Sequence, residues 1–314
     1  MTVLPAARRS NQAAPHARAG QPRRGLAARR RVETLSGWAL ISPSVIIIGL
    51  FGLIPVLWSF VLSFQRSDLQ TAATWAGVDN YRQALHDPVL RQAISNTVRY
   101  TILFVPITLV LSLLVAGALN RKIRGILFYR LAVFVPVVTS TVATGVIFSW
   151  LFNQSYGIVN SALGKIGIGP QGFFASPKEA LYVIVLMTIW GWLGFGTLIF
   201  LAGLQSVSPD LVEAAQIDGC SKTGAFWRIQ VPLVRPIAAF MLVWLTINAL
   251  QLFDEVYVTT KGGPLHATTV MVYYLYQQAF NYFHAGYAAA IACILFVVIA
   301  VISLVELRLS RNED

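Results

Sequence analysis

Between Trp38 and Phe64 the chain runs without a single charged side chain. A helix needs roughly 20 predominantly apolar residues to cross the hydrocarbon core of a bilayer. This stretch is long enough to do so. It is too long for the apolar region of a cleaved signal peptide, and no convincing cleavage site follows it. Arg29-Arg30-Arg31 just before it is only weakly similar to a twin-arginine signal. Five further stretches meet the same criterion, at about 98–119, 131–152, 181–204, 236–253 and 285–307. With the first, at 38–64, they predict an all-α integral membrane protein of six transmembrane helices. Pro43, Pro55, Pro106 and Pro136 fall within the first three spans. Proline is tolerated there because neighbouring helices can satisfy the backbone groups it frees.

Composition agrees. Hydrophobic residues make up 56% of the 314, and charged residues only 12%, about half the share usual in a soluble domain. The mean hydropathy is +0.64. The net charge of +11 would suit nucleic acid, but its distribution gives a simpler account. With the N-terminus in the cytoplasm, the inner segments hold the eight arginines of residues 1–33. They also hold Arg121, Lys122, Arg124 and Arg130, then Lys222, Arg228 and Arg235, and finally Arg308 and Arg311. The outer segments hold Arg66, Arg82, Arg91, Arg99, Lys165, Lys178 and Lys261. This asymmetry obeys the positive-inside rule with both ends in the cytoplasm, and no nucleic acid is needed. Trp58, Trp75, Trp150 and Tyr156 fall near outer boundaries, as an aromatic belt would. Residues 1–35 read as a disordered basic tail able to touch anionic lipid, and 36–310 as the membrane domain. The outer loops, at about 65–97, 153–180 and 254–284, are too short for a separate domain.

Catalytic signals are lacking. Cys220 and Cys293, and His16, His86, His266 and His284, show neither a disulfide framework nor metal-ligand spacing. The fragment Gly219-Cys-Ser-Lys222-Thr223 lacks the glycine spacing of a phosphate-binding loop. No nucleophile and base stand at a useful spacing. No charge lies in the middle of a span, where an ion-coupled carrier would need one.

The informative segment is the inner loop 205–235. Ser208 suits an N-cap and Pro209 the first helical position. Asp210 and Glu213 come next, where the helix dipole favours acids. Gly219 suits a left-handed C-terminal cap. Ser221 suits the cap of a second short helix running to Ile229 and ending before Pro232. Pro232 and Pro236 mark the return to the bilayer. Two readings are open: a rigid element that docks into a partner, or an ordinary capped connector.

The string Glu213-Ala214-Ala215, then Asp218-Gly219, Ile229, Pro232 and Pro236, resembles the EAA loop of ABC importer permeases, and it keeps the family's spacing. Val231 stands where Leu is commoner, Cys220 where Ala is usual, and Thr223 where a large aromatic often sits. Thr260-Lys-Gly262-Gly263-Pro264, with Thr268-Thr269 after it, resembles a loop of the carbohydrate-uptake permeases of the maltose and glycerol-3-phosphate type. Val78-Asp79-Asn80-Tyr81 and Asn96-Thr97 are similar to the same group, so the resemblance covers about residues 36–310.

The resemblance implies a type I importer permease in a bacterial inner membrane, moving a sugar or sugar-like solute by alternating access. Its implied partners are a second homologous permease, two ATP-binding-cassette subunits that hold ATP and Mg, and an extracytoplasmic solute-binding protein. The chain itself would hold no cofactor and would not be an enzyme. Glu213 would make the coupling contact, with Ala214, Ala215, Asp218, Gly219, Ile229 and Pro232 shaping the element. A permease for an amino acid, polyamine or phosphate is the alternative within the same machinery.

For the solute path the polar and aromatic residues of spans four and five stand out: Trp190, Trp192, Gly194, Asn248 and Gln251, with Asp254 and Glu255 just beyond. Aromatic faces and amides suit sugars. The tryptophans equally suit helix packing or the interface belt, and Asn248 an interhelical hydrogen bond.

Overall fold

The computed structural model describes residues 23–121 and 124–311. Residues 1–22, the larger part of the expected tail, and Lys122 lie outside the described residues. Two units are present, Met1–Leu57 and Trp58–Asp314.

In the first, helix α1 runs Arg23–Ile48 and passes through a π-turn, Gly49–Leu53, into α2, Ile54–Leu62. Residues 23–35 are thus helical rather than the disordered tail expected, since Arg, Ala and Leu dominate and favour helix. The π-turn has a local cause. Pro55 has no N–H and its ring crowds the preceding turn, so the ladder widens just before it and Ile54 N–H reaches Gly49 O.

The second unit opens with the last residues of α2, from Trp58, followed by a short antiparallel pair, β1 (Gln65–Arg66) and β2 (Thr74–Trp75). Helices α3 (Asp79–His86), α4 (Pro88–Leu119), α5 (Ile126–Val138), α6 (Thr141–Leu151) and α7 (Ile158–Lys165) come after it. Next are α8 (Ala180–Ser206), α9 (Pro209–Ile217), α10 (Lys222–Ala225) and α11 (Val231–Leu233). The unit ends with α12 (Arg235–Leu250), α13 (Asp254–Thr259), α14 (Met271–Tyr276) and α15 (Ala285–Arg311). Among the described residues five stretches are long and apolar enough to cross a membrane: Ser36–Leu62, Pro88–Leu119, Ala180–Ser206, Arg235–Thr259 and Ala285–Leu309. The pair α5–α6 brings the number to six when counted as one span.

Two expected spans are not straight. The stretch 131–152 is bent by 103° between α5 and α6. Thr139 and Ser140 are extended at the bend, three residues beyond Pro136. The fifth span does not stop at 253. It breaks at Gln251–Phe253 and resumes as α13, so part of the expected outer loop 254–284 belongs to it. The expected loop 65–97 likewise holds α3 and the first turns of α4.

The core lies where α4, α8 and α12 pack, around Tyr100, Phe104, Ile184, Phe200, Met241 and Leu245. Small residues let these helices approach: a Cβ on Gly196 would strike Ser112, and one on Gly203 would strike Ile237.

Polar side chains tie the end of the bundle opposite the 209–233 element. Asp87 caps α4, accepting from Val89 N–H at 2.8 Å and Leu90 N–H at 3.2 Å. Its other oxygen accepts the hydroxyls of Tyr274 at 2.6 Å and Tyr287 at 2.7 Å, both on buried residues. Asn96 donates to the carbonyls of His266 and Thr269, each at 2.9 Å. Thr97 accepts from Met271 N–H at 3.0 Å. The Asn-Thr and Gly-Gly-Pro motifs therefore hold each other. Asn80 similarly donates to Ser63 and Gln65 carbonyls.

Burial alone would raise the Asp87 carboxyl, but the Tyr274 and Tyr287 hydroxyls and the Leu90 and Val89 N–H groups outweigh it and hold it low. Burial, and then the Asp87 carboxylate, pushes Tyr274 up. A carboxyl lowered on folding stabilises above its unfolded pKa, near 3.9, and loses that contribution as pH falls through its folded value. A phenol raised on folding stabilises below about 10 and loses that contribution as pH rises toward its folded value. We therefore expect Asp87→Ala to cost about 2–4 kcal/mol, from the lost cap and two stranded hydroxyls. In thermal melts of the detergent-solubilised chain, its deficit against wild type should be level between about pH 5 and 9 and shrink below about pH 4.

Candidate substrate cavity and coupling element

A cavity of about 440 Å³ lies among α4, α5, α6, α8, α12 and α13. Helical spacing explains who lines it. Thr188, Gly191, Trp192 and Phe195 share one face of α8 at i, i+3, i+4 and i+7. Trp244, Asn248 and Gln251 do the same from α12, and Tyr100 and Phe104 from α4. The two breaks add Thr139 and Thr141 from the bend between α5 and α6, and Leu252 and Phe253 from the gap before α13, with Asp254 and Glu255 from its first turn.

Of the path residues singled out in the sequence, Trp192, Asn248, Gln251 and Asp254 stand together in this cavity. Trp190 and Gly194 do not line it. Two residues along a helix turn the side chain through about 200°, and Trp190 instead meets Phe148, with ring centres 5.8 Å apart. Gly194 is a packing glycine, where a Cβ would strike the Val133 carbonyl and Val137. Asn248 donates to Trp244 O on its own helix at 2.8 Å rather than across to another. Its carbonyl and second N–H are left for the cavity. Tyr100, Thr188, Trp244 and the threonines of the bend were missed. The i, i+3, i+4 spacing of Thr188, Gly191 and Trp192 could have found Thr188, and the i, i+4 spacing of Trp244 and Asn248 could have found Trp244; no local pattern points to Tyr100 or the bend.

The rings form a wall: Trp192 lies edge-on to Phe195 at 5.8 Å, and Phe195 faces Trp244 at 6.1 Å. Threonine hydroxyls, two amides, Asp254 and Glu255 supply the polar side. Such a lining suits a solute with both apolar faces and hydroxyls.

The 209–233 element lies at the other end of α8. Ser208 starts α9 by backbone conformation alone, without the expected side-chain bond, and Pro209 holds the first helical position. Asp218 and Gly219 end α9, with Gly219 at φ +87°. Cys220 N–H reaches Ala215 O at 2.8 Å and Gly219 N–H reaches Gln216 O at 3.1 Å, the paired bonds of a Schellman ending. Ser221 accepts from Gly224 N–H and caps α10. This second helix does not stop before Pro232. A π-turn, Phe226–Gln230, carries it into α11, which contains Pro232. The cause is that at Pro55: Val231 N–H reaches back to Phe226 O, so the ladder widens ahead of the ring. The Phe226 ring closes the joint to the bundle, resting where a Cβ on Gly117 would come within 2.7 Å.

Glu213, Ala214, Asp218 and Gly219 are exposed, Ala215, Ile229 and Pro232 half-buried. Among the described residues Glu213 forms no ion pair. On the same element Ile217 is 86% exposed, Leu211 50% and Trp227 49%. Such exposed apolar side chains make the element a candidate contact surface.

Apolar spans, two of them broken around a half-polar cavity, define a subunit of a membrane transport system. The chain belongs to the family of binding-protein-dependent transport system inner membrane components, whose profile matches residues 108–312. It is 33% identical over 290 residues to the lactose transport system permease LacF of Rhizobium radiobacter, covering 90% of this chain and 97% of that one. It is 36% identical over 276 residues to the arabinooligosaccharides permease AraP of Bacillus subtilis (strain 168), covering 86% and 87%. In fold it matches a chain of a bacterial ABC transporter that imports the acidic polysaccharide alginate, with a TM-score of 0.82 at 24% identity over 92% of this chain and 99% of that one. The resemblance drawn from the EAA and Gly-Gly-Pro loops therefore holds. The chain is a multi-pass ABC permease of the type I fold, a transport component rather than an enzyme.

Gly191 and Gly194 separate cavity from packing. A Cβ at Gly191 meets nothing within 4 Å, whereas one at Gly194 meets backbone. Gly191→Leu should keep the melting temperature within a few degrees and lower solute uptake at least about tenfold by filling the cavity. Gly194→Leu should instead destabilise the fold by about 1–3 kcal/mol or more. Melts and uptake assays on the two variants check both.

Proposed function

We propose that the chain forms half of the gated path of an ATP-driven importer and passes a sugar through the 440 Å³ cavity by alternating access. The observation that carries this reading is the lining itself, because aromatic faces beside hydroxyls, amides and carboxylates suit a sugar's C–H faces and hydroxyl rim. LacF and AraP, by name permeases for lactose and arabinooligosaccharides, support the same solute class. The cavity also sits at the breaks of two spans, as in other transporters, where unwound backbone offers polar groups that a continuous helix would hide.

The 209–233 element is the coupling contact. Glu213 and its apolar surround enter a groove on an ATP-binding-cassette subunit, which holds ATP and Mg. Ala214, Ala215, Asp218, Gly219, Ile229 and Pro232 keep the element's shape. Phe226 against Gly117 passes its motion to α4, whose Tyr100 and Phe104 line the cavity. The complete importer contains a second, homologous permease, two such ATPases and an external binding protein. The Lys and Arg asymmetry supports a cytoplasmic location for the 209–233 end and both termini.

Two variants test the coupling. Glu213→Ala should leave the melting temperature unchanged and reduce the ATPase co-purified with the chain, or its ATP-driven uptake, at least about tenfold. Full retention of both would remove Glu213 from the contact. Phe226→Ala should keep the ATPase bound but lower the solute moved per ATP hydrolysed, as measured in proteoliposomes.

A further inference from the structure

The same fold serves an importer of an acidic polysaccharide, alginate, and a lactose permease is among the relatives, so neither fold nor family decides the charge of the solute. The cavity's own side chains do. Its charged lining residues are Asp254 and Glu255, and among the described residues no Lys, Arg or His lines it. Neither carboxylate forms an ion pair among the described residues. Both lie at the break of the fifth span, beside Gln251 and Phe253, with the ring wall of Trp192, Phe195 and Trp244 in the same cavity.

This lining treats neutral and acidic solutes differently. A carboxylate accepts hydroxyl protons through both oxygens, so it binds an uncharged sugar well. An acidic sugar brings a like charge into a space walled by protein, where repulsion is screened far less than in water. The remaining polar groups, threonine hydroxyls and amides, offer dipoles but no countercharge.

We infer that the permeated solute is an uncharged sugar, and that Asp254 and Glu255 both hold its hydroxyls and exclude acidic sugars. This rests on the reading of the chain as a sugar permease. The selection is the permease's own, separate from any made by the binding protein.

The test is solute binding to the full-length chain co-purified with its second permease, without the binding protein, read by the fluorescence of the tryptophans that include Trp192 and Trp244. The neutral probes are maltotriose, cellotriose, arabinotriose and raffinose, and the acidic probe is trigalacturonate. At least one neutral trisaccharide should bind saturably, and trigalacturonate at least about tenfold more weakly. In the D254N/E255Q double variant, which is nearly isosteric, the ratio should fall to within about threefold. Equal binding of acidic and neutral probes would overturn the charge selection and leave the sugar reading standing. So would a ratio unmoved by the double variant. Binding of none of the five probes would bring down the sugar reading, and this inference with it.

Discussion

The carboxylate of Asp87 joins chain segments 187 and 200 residues apart, because Tyr274 and Tyr287 both donate to it while it caps α4. The cap fixes where α4 begins, and α4 carries three functional contacts along its length. Two to three turns on, Asn96 and Thr97 hold the Gly-Gly-Pro loop and the start of α14. One turn further, Tyr100 enters the cavity wall. Near the far end, Gly117 receives Phe226 from the coupling element. One helix thus connects clasp, cavity and the proposed coupling element, and its register is set by polar bonds at its first turn. Hydrophobic packing alone would not define that register, since lipid solvates apolar side chains as well as a neighbouring helix does.

The breaks are where this architecture departs from a simple bundle. A continuous helix hides its backbone and presents little but side chains to a cavity. At Thr139–Ser140 and at Gln251–Phe253 the chain leaves the helix, and these two points face the same cavity. Such discontinuities are tolerated inside a membrane only where protein or a cavity receives them. They are also places where half-helices can move separately. The coupling element contrasts with them. Its turn is closed by a Schellman ending, its second helix by a serine cap and a π-turn, and its root by the Phe226 ring. Under the proposed coupling, this closed element would act as the lever and the two breaks as the places where the spans give way.

Much of this was legible in the sequence, for physical reasons. Long uncharged runs declare spans, and the caps and left-handed glycine of 208–221 declare the two short helices. The EAA and Gly-Gly-Pro strings carried the family. The misses also have causes. A hydropathy window sees Thr139 and Ser140 as two mild residues in an apolar run, not as a bend. It stops at Asp254 because the residue is charged, although the span resumes there. Pro232 reads as a terminator, yet a π-turn carries the helix through it. Trp190 and Trp192 look alike in composition, and only their angular position on α8 separates packing from lining. The clasp at Asp87 was out of reach, because its partners lie nearly 200 residues away and no local pattern points to them.

The central claim, that this chain moves its solute by coupling to ATP hydrolysis on a partner, is tested most directly by reconstitution. The chain would be placed in proteoliposomes with its second permease, ATPase and binding protein, and uptake of a radiolabelled sugar measured with and without ATP on the ATPase side. The account predicts uptake that requires ATP, the ATPase and the binding protein together and persists when ion gradients are collapsed. Uptake by the chain alone, driven by a proton or sodium gradient and indifferent to ATP, would contradict it.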